Sequence, residues 1–149
     1  MLDDLTNLQA LLKDSTLLAT KGYIAGEWCD GENGQTFPVY NPARGDVITD
    51  VADISRTQAA EAISISEKAQ KLWAARPAKE RSNLLRKWYN LMMENQEDLA
   101  TILTAEQGKP LEEAKGEIAY GASFIEFFAE EAKRVYGETI PGHQSDKRI

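Results

Sequence analysis

The sequence predicts a mostly α-helical chain led by small antiparallel β-hairpins. Three observations point there. Between Tyr23 and Ile48, short apolar runs alternate with Gly and Asx-Gly punctuation. From Ser55 to about Tyr136, apolar residues recur at helical spacing. No run of alternating strands and helices marks a central parallel sheet, so the chain offers more apolar faces than it can cover. It reads as the wrapping of a larger fold.

Leu5, Leu8, Leu11 and Leu12 predict a short amphipathic helix within residues 1–20, packed on something else. Residues 21–52 form the hairpin region. Tyr23-Ile24-Ala25, Glu27-Trp28-Cys29, Thr36-Phe37-Pro38-Val39-Tyr40 and Val47-Ile48 are its strands. Ala25-Gly26, Asp30-Gly31, Asn33-Gly34 and Arg44-Gly45-Asp46 are its turns. Pro38 has no N–H for a ladder, which puts its strand at an edge or Pro38 at a strand end.

Residues 53–137 are helical. Ser55 and Gln58 have capping-box spacing. The helix they open carries Ala59, Ala62, Ile63, Ala69, Leu72 and Trp73 on one broad face and stops before Pro77. A second helix starts near Ala78, and its stripe of Leu84, Leu85, Trp88, Leu91 and Met92 predicts a buried Trp88. Leu99, Ile102 and Leu103 mark a third, closed by Gly108 in a left-handed conformation. Pro110 suits the first turn of a fourth and longest helix, reaching about Tyr136 before Gly137. One of its stripes is Leu111, Ala114, Ile118, Ala122, Ile125, Ala129, Ala132 and Val135; the other is Tyr120, Phe124 and Phe127. Two apolar faces require two different neighbours.

Composition narrows the function classes. The net charge is −7, from 17 basic and 24 acidic residues, and it disfavours nucleic acid and anionic membranes as partners. No stretch is long and apolar enough for a membrane span. The acidic start, Met1-Leu2-Asp3-Asp4-Leu5, lacks the basic residues of a signal or transit peptide, so a cytoplasmic protein is expected. Cys29 is the only cysteine and His143 the only histidine, which removes internal disulfides and almost excludes Cys–His or Ser–His catalysis.

Neither common phosphate cradle is written in the chain, Gly-x-Gly-x-x-Gly or Gly-x4-Gly-Lys-Ser/Thr. Gly116 and Gly121 are five apart but lie within a helix. Cys29, in a hairpin without a basic neighbour, reads as an ordinary strand cysteine. His143 reads as a surface-loop residue. Glu112/Glu113 and Glu130/Glu131 diverge around their helix and read as solvated charge. By themselves these residues describe an α+β domain without a visible active site.

A family resemblance adds to this. The run Tyr40-Asn41-Pro42-Ala43-Arg44-Gly45-Asp46-Val47-Ile48 resembles a hairpin near the start of aldehyde dehydrogenases. The likeness continues through Trp73, Pro77-Ala78-Lys79-Glu80-Arg81 and Leu84-Leu85-Arg86. It is strongest in Thr104-Ala105-Glu106-Gln107-Gly108-Lys109-Pro110-Leu111, in Glu113-Ala114-Lys115-Gly116-Glu117-Ile118 and in Gly137-Glu138-Thr139-Ile140-Pro141-Gly142-His143-Gln144, the last overlapping a longer string from Phe127 to Gly142. These last strings are similar to the succinate-semialdehyde dehydrogenase branch of the family.

The resemblance implies an α/β parent fold of the aldehyde dehydrogenase type, with residues 53–137 flanking its NAD(P)-binding domain and residues 138–149 beginning an oligomerisation strand. It implies oxidation of a small-molecule aldehyde, succinate semialdehyde, to an acid through a cysteine thioester, with NADP or NAD as cofactor, in a homo-oligomer. The family's nucleophilic cysteine, general base and cofactor lysine are all expected beyond residue 149, so the chain alone is expected to bind no cofactor and to be inactive. By the same resemblance, Gly116, Tyr120 and Phe124 fall at the substrate entrance. Val39 and Tyr40, through backbone carbonyls, and Glu106 fall where relatives hold a structural monovalent cation; many relatives have Asp in place of Glu106. The alternative from another class is a non-catalytic helical interaction module that folds alone.

Overall fold

A computed structural model describes residues 7–137 and 145–146. Leu5, His143 and the expected strand start over 138–149, apart from a turn at 145–146, lie outside the described residues. The order is a one-turn helix α1 (Leu8–Leu11), a 3-10 turn (Ser15–Leu17), strands β1 (Gly22–Ile24) and β2 (Glu27–Cys29), a second 3-10 turn (Glu32–Gly34), then β3 (Thr36–Tyr40) and β4 (Val47–Ala52). Helices α2 (Arg56–Ala74), α3 (Ala78–Glu94), α4 (Gln96–Gln107) and α5 (Leu111–Glu131) follow.

The strands make two separate antiparallel pairs, β1 with β2 and β3 with β4. In the first, Ile24 faces Glu27 across a two-residue turn in which Ala25 (φ 57°) and Gly26 (φ 89°) are both left-handed. Such a turn matches the twist of the flanking strands. In the second, Pro38 stands opposite Asp50, and a register shift falls between Val39 and Tyr40. Every strand of a two-stranded sheet is an edge, so Pro38 removes little.

The capping box at Ser55 forms: Gln58 N–H donates to Ser55 Oγ at 3.2 Å, and Ser55 N–H donates to Gln58 Oε1 at 3.0 Å. Gln58 also ties the helix to the hairpin loop, because its Oε1 accepts from Glu32 N–H (3.1 Å) and its Nε2 donates to the Asp30 carbonyl (3.0 Å). Beyond that end α2 is sparsely covered. None of its residues is buried, and Ile63 and Leu72 are largely exposed. The broad face expected from periodicity exists, but the described residues cover it only in part: Trp73 is half-buried beside Leu85 and Phe128, while Ile63 and Leu72 stay open.

Helix α5 packs on α3 and α4 along the alanine side predicted for it: Ala114, Ala122 and Ala129 are buried, with Ile118 and Ile125 half-buried. Arg86 of α3 donates to Glu126 (2.5 Å) and Glu130 (2.6 Å) of α5. Lys115 of α5 pairs with Glu97 of α4 at 3.1 Å. The helix ends at Glu131, not near Tyr136, and Val135 is 82% exposed. Trp88 also departs from expectation. It is 56% exposed, as Leu84 and Leu91 also are in large part, because within the described residues α3 meets α5 on its other side. The buried apolar set among the described residues is correspondingly thin, with Leu8 and Leu12 its only members larger than alanine. These two leucines pack with Ala105 and the half-buried Leu18, Ile48 and Ile102.

Candidate functional site

The outer side of α5 carries the first candidate. Tyr120, Phe124 and Phe128 are spaced by four, so a 3.6-residue repeat places them on one side, with Phe127 beside them. The Tyr120 and Phe124 rings meet edge to face, centroids 4.9 Å apart at 77°, and Phe127 meets Phe128 at 5.3 Å and 81°. Such edge-to-face contacts suit aromatic quadrupoles. The Ser123 hydroxyl turns inward and donates to the Tyr120 carbonyl at 2.7 Å. Together Tyr120, Ser123, Phe124, Phe127 and Phe128 line an open, mostly apolar hollow of about 450 Å³. Tyr120 is 66% and Phe124 49% exposed. One turn before Tyr120, Gly116 is exposed, and a Cβ built on it meets nothing within 4 Å.

Of the three residues expected at a substrate entrance, Tyr120 and Phe124 touch and Gly116 leaves the space beside them open. The sequence reading missed Ser123 and Phe128 as lining residues. The four-residue spacing from Tyr120 through Phe124 to Phe128 was the signal that finds Phe128; nothing in the sequence marked Ser123.

The second candidate joins the end of β3 to the end of α4. Val39 is half-buried and Tyr40 exposed, flanking the register shift. The loop after them is shaped by Asn41, whose buried side-chain oxygen accepts from Ala43 N–H (2.9 Å) and Arg44 N–H (3.3 Å). Two residues beyond Tyr40, Pro42 packs under Gly108, where a Cβ would come 3.0 Å from the proline Cγ. Gly108 (φ 80°) is the left-handed cap of α4, and its N–H donates to Thr104 O at 2.9 Å. That contact brings the β3 exit and the α4 terminus together. Glu106 sits in the last turn of α4, exposed as a residue, yet its carboxyl is crowded enough that desolvation raises its pKa above the ordinary 4.5. A carboxylate there also faces the negative end of the helix dipole.

No group of three or more His, Cys, Asp or Glu side chains that could hold a metal ion occurs among the described residues. No helix among them is long and apolar enough to cross a membrane. Cys29 is half-buried in β2 and its thiol donates to the Gly22 carbonyl at 3.3 Å, in keeping with a structural strand cysteine.

The sequence model of the aldehyde dehydrogenase family matches residues 28–149. Over 138 residues the chain is 59% identical to a glutarate-semialdehyde dehydrogenase of Pseudomonas putida, covering 93% of this chain and 29% of that protein. It is 54% identical to the NADP(+) succinate-semialdehyde dehydrogenase of Escherichia coli, with the same coverage. A crystal structure of an NADP-dependent enzyme from E. coli superposes with a TM-score of 0.84 at 55% identity, over 92% of this chain and 28% of that one. The chain thus spans a little over a quarter of the relatives it matches. Family match, identity and superposed fold agree: the chain belongs to the aldehyde dehydrogenase family.

Proposed function

We propose that this chain is the N-terminal segment of an NAD- or NADP-dependent enzyme that oxidises an ω-semialdehyde, an aldehyde with a carboxylate at its far end, to the diacid through a cysteine thioester. The 59% and 54% identities to glutarate- and succinate-semialdehyde dehydrogenases carry this reading. The two named substrates differ by one methylene. In an apolar pocket that difference is worth only about 1–3 kcal/mol, so what the two substrates share, an aldehyde with a distal carboxylate, defines the substrate class.

The segment's role is positional. The nicotinamide cofactor supplies the hydride acceptor when bound; neither common phosphate-cradle motif occurs in this segment. We read Gly116, Tyr120 and Phe124 as one wall of the aldehyde's approach: two aromatic edges and an open glycine shape an apolar entrance and exclude water. We read the carbonyls of Val39 and Tyr40 with the Glu106 carboxylate as ligands of a structural monovalent cation. Oxygen donors suit a hard cation, and a cation would relieve a crowded carboxylate at a helix C-terminus.

A chimera tests the enzymatic reading. This segment is grafted in place of the corresponding 138 residues of the Pseudomonas putida enzyme. The graft should reduce NAD or NADP with succinate or glutarate semialdehyde, whereas the 149-residue chain alone should not. A soluble, folded chimera inactive on both aldehydes, or turnover by the chain alone, would refute it.

A further inference from the structure

We propose that the Asn33–Gly34 pair is a site of spontaneous deamidation, held in check by the Gln58 side chain and released when the 30–34 loop opens. It is the one Asn-Gly dipeptide in the chain, and both residues are exposed. No Cβ shields the Gly34 nitrogen, and a Cβ built there would meet nothing within 4 Å. In the reaction the Gly34 backbone nitrogen gives its proton to solvent hydroxide and attacks the Asn33 side-chain carbonyl carbon. A C–N bond forms, the bond to the amide nitrogen breaks, and ammonia leaves a five-membered succinimide. Water then opens the ring at either carbonyl, giving aspartate or isoaspartate. No oxidant or cofactor enters.

Three features of the fold oppose the attack. Asn33 is fixed in a left-handed conformation (φ 56°, ψ 24°). The attacking nitrogen is already engaged, since Gly34 N–H donates to the Gly31 carbonyl at 2.8 Å. Gly31 in turn is buried and its Cα is wedged against two backbone carbonyls, since a Cβ there would come 2.3 Å from Gln35 O and 2.5 Å from Asp53 O, so the Gly31 backbone has little room to shift. Gln58 fastens the residues on either side of Gly31 through the Asp30 carbonyl and the Glu32 N–H. Freeing the Gly34 nitrogen requires this clamp to let go. The product would add a negative charge, and in the iso form an extra backbone methylene, to the loop that anchors α2.

The test follows the tryptic peptide containing Asn33 by mass spectrometry during incubation at mildly alkaline pH, with isoaspartate methyltransferase labelling. Four samples are compared, all carrying this segment within the Pseudomonas putida chimera described above, which serves as the parent chain: the parent chain, Gln58→Ala, Ser55→Ala and the parent chain in urea. Ser55→Ala breaks the capping box but leaves both loop contacts of Gln58 intact, so it controls for weakened α2. Deamidation at Asn33 should be slow in the parent chain and in Ser55→Ala, severalfold faster in Gln58→Ala, and fastest in urea. Asn41, followed by Pro42 and lacking the nucleophilic N–H, is the internal negative. Equal rates in the parent chain and Gln58→Ala, equal acceleration by Ser55→Ala, or no reaction at Asn33 in urea would each overturn the proposal.

Discussion

The Asp98 carboxylate accepts the backbone N–H of Asp14 at 2.8 Å across 84 residues of chain, and its second oxygen takes the N–H of Lys13 at 3.0 Å. Asp98 is buried in the first turn of α4, where a negative charge also meets the positive end of the helix. One side chain thus fastens the N-terminal segment, and with it Leu8 and Leu12, to the helical layer. Asp98→Ala leaves two N–H groups without their acceptor and should cost about 1–3 kcal/mol. Hydrogen exchange at residues 8–18 should accelerate well before that of α5; unchanged protection there would show that the segment is held by leucine packing alone.

Gly31 and Gly108 need glycine for different reasons, and the two substitutions should separate them. At Gly31 the backbone is ordinary, but a Cβ would run into two carbonyl oxygens that belong to the chain itself. Gly31→Ala should therefore exceed the usual overpacking cost of about 1–3 kcal/mol or displace the β2–β3 loop. At Gly108 the left-handed φ is the main constraint and the Pro42 contact is tight but not impossible, so Gly108→Ala should cost about 1–2 kcal/mol. A thermal melt of the chimera with the Pseudomonas putida enzyme that ranks Gly108→Ala as the worse of the two would contradict this assignment.

Acidification should loosen the α3–α5 interface before the rest of the helical layer. Hydrogen bonds from Lys133, then Arg86, hold Glu130 below its ordinary pKa of 4.5. A carboxylate depressed in the folded chain contributes stability above the unfolded value, and loses it as pH falls from there through the folded value. Glu106 has the opposite sign. Its raised folded pKa favours the chain at low pH, and that advantage fades as pH climbs from 4.5 through the folded value. Glu130→Gln should flatten the acid limb of a stability–pH curve, while Glu106→Gln should flatten the rise of its penalty above pH 4.5. The reverse assignment of the two limbs would refute the geometry.

Much of the local structure was legible because it is written in short-range chemistry. Ser55 and Gln58 cap as their spacing requires, Gly108 closes α4, and the turn at Ala25-Gly26 joins the strands expected of it. Periodicity also identified both faces of α5. What it could not give is whether a neighbour exists for a face. Trp88 and Leu72 lie on well-formed apolar stripes and remain exposed, since a stripe records a preference for burial and the partner is a matter of tertiary structure. The Asp98 contact was equally out of reach: an acidic residue in a first helical turn is unremarkable until the fold brings Lys13 and Asp14 over it. Gly116, Tyr120 and Phe124 were expected at a substrate entrance by resemblance alone, and the hollow that Tyr120 and Phe124 share with Ser123 and Phe128 emerged only from the helix geometry.

The chain alone should behave as an incomplete core. Tyr120, Phe124, Phe127 and Phe128 are each about half exposed or more along one side of α5, while Ala122 and Ala129 on the other side are fully buried. Trp88, Leu84 and Leu91 add a second apolar surface on α3, and Ile63 and Leu72 a third on α2. Contiguous apolar patches beyond a few hundred Å² are uncommon on soluble monomers and promote association. The matched relatives are more than three times longer, so they have chain available to cover such faces. At micromolar concentration the isolated chain should therefore bind a hydrophobic dye, self-associate and unfold over a broad temperature range. Phe124→Ser with Phe127→Ser should reduce dye binding and association without lowering helix content, because both rings are solvent-facing. A monodisperse, dye-silent chain with one cooperative melt would instead support the reading of a self-sufficient helical module.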